Sequence, residues 1–301
     1  MGITWGHVCP PFLNQVDDSM GWQHPPKIVQ IDITSRCNLA CRHCRASVLD
    51  TSVADLSLDQ ITSLMTDIHS LSPHAALAVA GGEPLMRPDL KEIFYFIQNN
   101  LSGMNIELLS NVTLIDQDNI GWLMDTVRGF NISMEGATPL VHDAVRGRGT
   151  FQRTVQALKL LVGQGAVVAV RMTYFHQGED ESENLMRFIQ DIRISMFNSR
   201  YLVPVGRASE KKVDADQYRR LSERIWEVGR ELGIKVGYSD PFPELLVNEK
   251  RKKEIDDNVD LLEGVAGCSI AFTLQYITPQ GTGGAVSLFS CLCCRYTRRK
   301  A

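Results

Sequence analysis

The chain has 301 residues, 44% of them hydrophobic, with a formal charge of −4 and a pI near 6.0. That length can bury a barrel-sized core, as one domain or as one domain with an extension. The slight acidity argues against bulk attraction to nucleic acid, no apolar run approaches the ~20 residues of a membrane span, and the N-terminus carries no secretory pattern. Eight cysteines bunched towards the two ends of so long a chain fit metal or redox chemistry in a reducing compartment better than a disulfide scaffold, which points to the cytoplasm.

Residues 1–27 are rich in Gly, Pro and polar residues and read as an irregular leader, with Cys9 an incidental thiol. From 28 onward apolar strand-like runs alternate with helical patterns. The expected strands are 28–34, 76–82, 105–110, 129–135, 167–173 and 200–205. The expected helices are 57–71, with Ser57 and Asp59 at its start, then 88–100, 115–126, 151–163, 181–192 and 214–232. Six β-α alternations predict a parallel sheet with right-handed crossovers, either a doubly wound sheet or a partial barrel. We place the core at 28–235 and a C-terminal extension at 236–301.

Directly after the first strand, Cys37, Cys41 and Cys44 form a C-x3-C-x2-C motif. Three thiolates this close can hold three corners of a cubane iron–sulfur cluster, leaving one iron open for reaction. Structural zinc is the alternative, since thiolates suit both metals. Against zinc, His43 abuts Cys44, which hinders both from ligating one ion, and no second ligand pair follows at zinc-finger distance. Gly81-Gly82-Glu83-Pro84 ends the second strand, where glycines let the backbone approach a ligand; an ordinary strand-to-helix turn would use the same residues.

The ordered set Ser35-Arg36-Cys37-Asn38-Leu39-Ala40-Cys41-Arg42-His43-Cys44, Ala80-Gly81-Gly82-Glu83-Pro84-Leu85, Ile132-Ser133-Met134-Glu135-Gly136, His142-Asp143 and Arg146-Gly147-Arg148-Gly149-Thr150-Phe151 resembles radical S-adenosylmethionine (SAM) enzymes. The resemblance implies an incomplete six-stranded (β/α) barrel, a TIM-like α/β fold. It also implies a 4Fe-4S cluster on Cys37, Cys41 and Cys44, with SAM on the open iron. A low-potential flavodoxin- or ferredoxin-type donor would supply the electron that cleaves SAM to a 5′-deoxyadenosyl radical, which abstracts hydrogen from substrate. Gly81, Gly82 and Glu83 would lie along the methionine end of SAM, and His43 near its adenine. Asn111 and Ser133 would hydrogen-bond its amino acid or ribose, or else satisfy local backbone. Arg171 would meet its carboxylate, or else a surface partner. His142, Asp143 and Arg146 organise their loop in this reading, and Val205-Gly206-Arg207 reaches adenine or substrate.

The tail resembles the auxiliary-cluster (SPASM or twitch) extension of radical SAM maturases, beginning at Gly267-Cys268 and running through Phe272–Ile277 to a turn at 278–281. Cys268 is then a candidate ligand of an auxiliary iron–sulfur cluster in a full-length form. After Gly281 the sequence departs from that pattern, and a shifted reading frame near Gly283 would restore a Val-x-Pro-Cys run. The extension is therefore expected to be incomplete, with Cys291, Cys293 and Cys294 out of frame. Cys-Arg-His-Cys-Arg-Ala and the tail resemble enzymes acting on haem-type tetrapyrroles and also maturases of ribosomal peptides. The short leader favours a tetrapyrrole or other small substrate over a peptide or protein. Outside that class stand an iron–sulfur electron-transfer protein without SAM chemistry and an inactive truncated derivative.

Overall fold

Alternation along the strands decides which way each one faces. In a computed structural model that describes residues 27–45, 54–174, 177–178, 180–202, 204, 206–209, 215–238, 274–277, 279 and 283–284, Val29, Ile31, Leu77, Val79, Ile106, Leu108, Phe130, Ile132, Val168, Val170 and Phe197 are buried on one face. The intervening Gln30, Glu107, Asn131, Ser133, Arg171, Thr173, Asn198 and Arg200 are only partly covered. Period-two alternation sends the apolar set towards the helices and the polar set into an open interior. Parallel strands buried on both faces would instead read as continuous apolar runs.

Seven parallel strands follow in order: β1 (Ile28–Asp32), β2 (Ala76–Ala80), β3 (Asn105–Ser110), β4 (Val127–Ser133), β5 (Val168–Tyr174), β6 (Met196–Tyr201) and β7 (Lys235–Tyr238). Between them run α1 (Leu58–Leu71), α2 (Leu90–Asn100), α3 (Ile120–Thr126), α4 (Pro139–Arg146), α5 (Thr150–Gly163), α6 (Glu181–Asp191) and α7 (Ala215–Leu232). Ile61 and Met65, Ile93 and Phe94, Leu158 and Leu161, Leu185 and Ile189, and Ile225 and Val228 bring the helical apolar stripes into the same core as the outward strand face. At the other edge β8 (Leu274–Ile277) pairs parallel with β1 and antiparallel with β9 (Gly283–Gly284), giving the order β7-β6-β5-β4-β3-β2-β1-β8-β9. Among the described residues no helix is long and apolar enough to cross a membrane.

The sheet is curved into a partial barrel. Gln30 of β1 and Arg200 of β6 line one cavity, yet five strand spacings on a flat sheet would separate them by about 24 Å. The sequence expected six strands; β7 adds a seventh, and the tail contributes β8 and β9. Boundaries also move: β1 and β2 each end two residues earlier than expected, at Asp32 and Ala80, α2 starts two later, at Leu90, and three further elements shift. The expected strand 200–205 starts at Met196 instead, because polar Asn198 and Arg200 face the open interior rather than a packed core. The expected helix 115–126 begins at Ile120, after a turn in which Asp116 Oδ1 accepts from the Asp118 and Asn119 N–H groups. It passes directly into β4, which runs 127–133 rather than 129–135. The predicted Ser57 cap is present as a capping box with Gln60. Residues 1–26, Cys9, Cys268, Cys291, Cys293 and Cys294 lie outside the described residues.

The β1-to-cysteine loop is held by its neighbours. Asp55 accepts from Thr34 Oγ1 at 2.6 Å and from the Ser35 N–H at 3.1 Å. Buried Arg87 donates to the Ile33 carbonyl at 2.9 Å and the Leu56 carbonyl at 2.7 Å. Gly82 N–H donates to Thr34 O, and Glu83 N–H to Arg36 O, both at 2.8 Å. Gly81 takes φ +133°, and a Cβ on Gly81 or Gly82 would meet the Thr34 or Arg36 carbonyl respectively. The glycine pair is thus required by the loop that feeds Cys37. Gly82→Ala is expected to lower stability by about 2 kcal/mol or more, since backbone must shift. Gly121→Ala, in α3 with open space around it, is expected to raise stability by about 0.5–1 kcal/mol. Chemical denaturation of the two variants checks the contrast, and equal effects would refute this account of the close contact.

Candidate functional site

The cysteine loop lies over the C-terminal ends of the strands, the end where barrel folds gather their chemistry. One cavity there is lined by Cys37, Cys41, Cys44 and His43, by Gly81 and Gly82, and by Asn111, Ser133 and Arg171. Sequence reading had singled out all nine of these residues. Among the described residues no three His, Cys, Asp or Glu side chains converge where one metal ion would sit.

Burial favours the neutral form of the Cys37 and Cys41 thiols. Cys37 is exposed at the rim, but loss of hydration, offset by a hydrogen bond from the Leu39 N–H and reinforced by Glu83, Cys41 and Cys44, pushes its thiol up to about 11. Burial likewise raises Cys41, with Arg146 opposing. A group that supplies positive charge to all three sulfurs relieves this mutual repulsion, so the donor set suits an iron–sulfur cluster.

Glu83, the tenth expected residue, does not line the cavity. Its fully buried carboxylate accepts from Ser110 Oγ at 2.7 Å, the Asn111 N–H at 2.8 Å and the Leu85 N–H at 3.3 Å. It clamps the end of β3 to the turn after β2. Asn111 carries the clamp onward: its amide nitrogen donates to Asn38 Oδ1 at 3.0 Å in the cysteine loop, and its oxygen accepts from Thr113 N and Oγ1. Next to it Val112 sits at φ +54°, an outlier for a β-branched residue, held by an N–H bond to Ser110 Oγ at 2.8 Å.

On the far side of the loop Glu135 plays the larger part. It is fully buried, with Oε1 2.9 Å from His43 Nε2 and accepting from Arg146 Nε at 3.1 Å and Nη2 at 2.6 Å, while Oε2 accepts from the Thr173 N–H at 2.9 Å. Burial alone would raise its pKa, but the charges and hydrogen bonds of His43 and Arg146 hold it at about 2. Its own N–H donates to His142 Nδ1 at 3.3 Å; burial lowers that histidine to about 4, so it stays neutral. Asp143 accepts from the N–H groups of Gly149 and Phe151, as expected of a loop organiser.

Two groups missed as site-builders emerge here. α4 was not predicted, although Thr138 as N-cap, Pro139 at the first turn and Gly147 at the end are readable signals. It ties to the cysteine loop through the Arg42 N–H to Val145 O bond at 2.9 Å. Arg207, expected to reach adenine or substrate, clamps the loop backbone, donating from Nη1 to Cys41 O and from its N–H to Cys44 O, both at 3.3 Å. Arg45, Arg146, Arg171 and Arg200 all line the cavity, whereas among the described lining residues there is no Asp or Glu. Burial first, then Arg200, Arg45 and Arg146, bring Arg171 down to about 9, and its buried Nε has no hydrogen-bond partner.

Comparison with known proteins converges on one family. The chain is 26% identical over 234 residues to the "AdoMet-dependent heme synthase" of Methanosarcina barkeri, covering 76% of this chain and 66% of that one. It is 26% identical over 204 residues to the "Antilisterial bacteriocin subtilosin biosynthesis protein AlbA" of Bacillus subtilis, covering 66% of this chain and 45% of that one. The chain thus spans about half to two thirds of the length of these relatives. Streptococcus suis SuiB bound to S-adenosylmethionine superposes with a TM-score of 0.71 at 18% identity, over 87% of this chain and 60% of SuiB, a likeness of fold. Residues 31–189, more than half of the sequence, match the model of the radical SAM superfamily, and the chain belongs to that superfamily.

Proposed function

We propose that the protein is an enzyme that binds a 4Fe–4S cluster on Cys37, Cys41 and Cys44, cleaves SAM reductively, and abstracts hydrogen from a carboxylate-bearing tetrapyrrole of the haem pathways. The observation that carries this reading is the meeting of the three cysteines with Gly81, Gly82, Ser133 and Arg171 around one cavity at the strand ends. The superfamily implies both the cluster and SAM. When bound, they supply one-electron chemistry, with the electron drawn from a low-potential flavodoxin- or ferredoxin-type donor.

The residues divide the work. Cys37, Cys41 and Cys44 give up their protons to ligate iron. Arg171 offers a buried guanidinium edge to the SAM carboxylate. Ser133, beside it in the β4–β5 register, presents a hydroxyl to the ribose or amino acid. His43 is fixed by Glu135 and forms part of the wall against adenine. Gly81 and Gly82 give SAM a backbone edge, while Glu83 and Asn111 position that edge and the cysteine loop. Arg146 and Arg45 are paired with Glu135 and Asp32 behind the wall, while Arg171 and Arg200 add further positive charge to the described lining; that wall favours an anionic substrate, and haem-pathway tetrapyrroles carry carboxylate arms. The heme synthase relative points the same way, whereas AlbA and the SuiB structure with its precursor peptide SuiA support the maturase alternative.

Anoxic reconstitution tests the core of the proposal. Wild-type protein is expected to take up a cubane cluster, to change its EPR spectrum when SAM is added, and to release 5′-deoxyadenosine on reduction. The Cys37→Ala/Cys41→Ala/Cys44→Ala variant is expected to lose all three. A cluster whose spectrum ignores SAM would leave only the electron-transfer reading, and bound zinc would remove the cluster itself. Supplying iron coproporphyrin or a precursor peptide, and following each by mass spectrometry, decides between the two substrate readings.

Acid stability follows from Glu135. Its folded pKa of about 2 lies below the ordinary 4.5 of a glutamate, so its contribution is complete above that ordinary value and is lost as pH falls towards 2. Glu135→Gln is expected to cost about 3–5 kcal/mol at neutral pH by leaving Arg146 buried without its counter-charge. It should also flatten the acid limb of the stability–pH curve. Denaturation midpoints between pH 3 and 7 check both; an unchanged acid limb would contradict the assignment.

A further inference from the structure

Resting on the cluster reading, we propose that Arg146 tunes the reduction potential of the cluster by directing one guanidinium N–H at the sulfur of Cys41. Arg146 Nη1 lies 3.9 Å from Cys41 Sγ. Its other donors, Nε and Nη2, are both fixed on Glu135 Oε1. Glu135 in turn is anchored by the Thr173 N–H and paired with His43. The guanidinium is planar and rigid, so pinning one edge aims the remaining nitrogen. Only 9% of Arg146 is exposed, so solvent does little to screen it.

Neutralising Glu135 needs only the Nε/Nη2 edge. The third nitrogen facing sulfur is what a purely structural ion pair leaves unexplained. The helix that presents Arg146 is also tied to the loop that carries Cys41, through Arg42 N–H to Val145 O at 2.9 Å and Arg42 Nη1 to Ala144 O at 3.5 Å. The N–H and the sulfur are therefore held in one rigid frame. Reduction adds negative charge to a cluster already carrying three thiolates. A donor at one of those sulfurs stabilises the reduced form more than the oxidised form and so raises the potential. Arg146 acts through Cys41, as a tuning and positioning residue.

Redox titration of reconstituted Arg146→Gln and Arg146→Lys, followed by EPR, tests this directly. Arg146→Gln is expected to shift the midpoint to more negative values at unchanged iron content. Arg146→Lys, which keeps the charge and loses the fork, is expected to fall between that variant and wild type. A second measurement covers the case in which neither variant folds. In wild-type protein labelled with ¹⁵N-arginine, pulsed EPR of the reduced cluster is expected to show a nitrogen coupling through the sulfur. Unchanged midpoints, or no arginine coupling in the wild type, would overturn the proposal while leaving the cluster assignment intact. A wild-type protein that takes up no cluster would remove both.

Discussion

The site depends on a carboxylate that never reaches solvent. Glu135 has its two oxygens shared among His43 in the cysteine loop, Arg146 at the end of α4 and the Thr173 backbone on β5. A buried charge is tolerated only when such partners are in place. The residue therefore fixes three separate pieces of chain relative to one another. Glu83 repeats the device on the opposite side, joining the β2 turn to the end of β3, with Asn111 extending the link to Asn38. The cysteine loop hangs between these two buried glutamates. Rigidity of that kind is what a ligand site needs when its ligands sit on a loop rather than on a strand.

Much of the fold was legible because the alternation of apolar strands and amphipathic helices is regular from β1 to α7. Failures came where a local signal was outweighed by surroundings. The apolar run after Tyr201 attracted the sixth strand forward, yet β6 begins at Met196 and carries Asn198 and Arg200, polar because the barrel interior is open. β7 is four residues long and includes Gly237, too short to show a period. α4 had readable caps at Thr138 and Pro139, but its eight residues were absorbed into a loop reading.

The site was legible in residue type and only partly in role. Nine singled-out residues do meet at the cavity. For Gly81, Gly82 and Glu83 the structure adds a cause within the protein that the sequence did not reveal. Close approach was expected towards a ligand; the immediate neighbours are the Thr34 and Arg36 carbonyls, and the Glu83 carboxylate faces β3. Which neighbour a small or charged residue serves depends on contacts between residues distant in sequence, such as Asn38 with Thr113. No single-sequence pattern encodes those pairings.

An interior lined by Arg171, Arg200, Asn131 and Thr173 cannot be a packed hydrophobic core. The stability of this barrel must come from its outer layer, where the apolar strand faces meet α1 to α3 and α5 to α7 in one continuous cluster, with Val145 of α4 in a small second cluster beside Leu202 and Ala208. That division frees the inner face to be chosen for chemistry. It also leaves a charge imbalance, because Arg171 is pulled down by burial and by neighbouring arginines, while the Cys37 and Cys41 thiols are pushed up, chiefly by burial. On the proposed reading both distortions would be relieved on binding: cationic iron would accept the thiolates, and the SAM carboxylate would enter beside Arg171. A site strained in opposite senses at its two ends gains affinity for a ligand pair that carries both charges, because binding each half removes a repulsion already present in the protein.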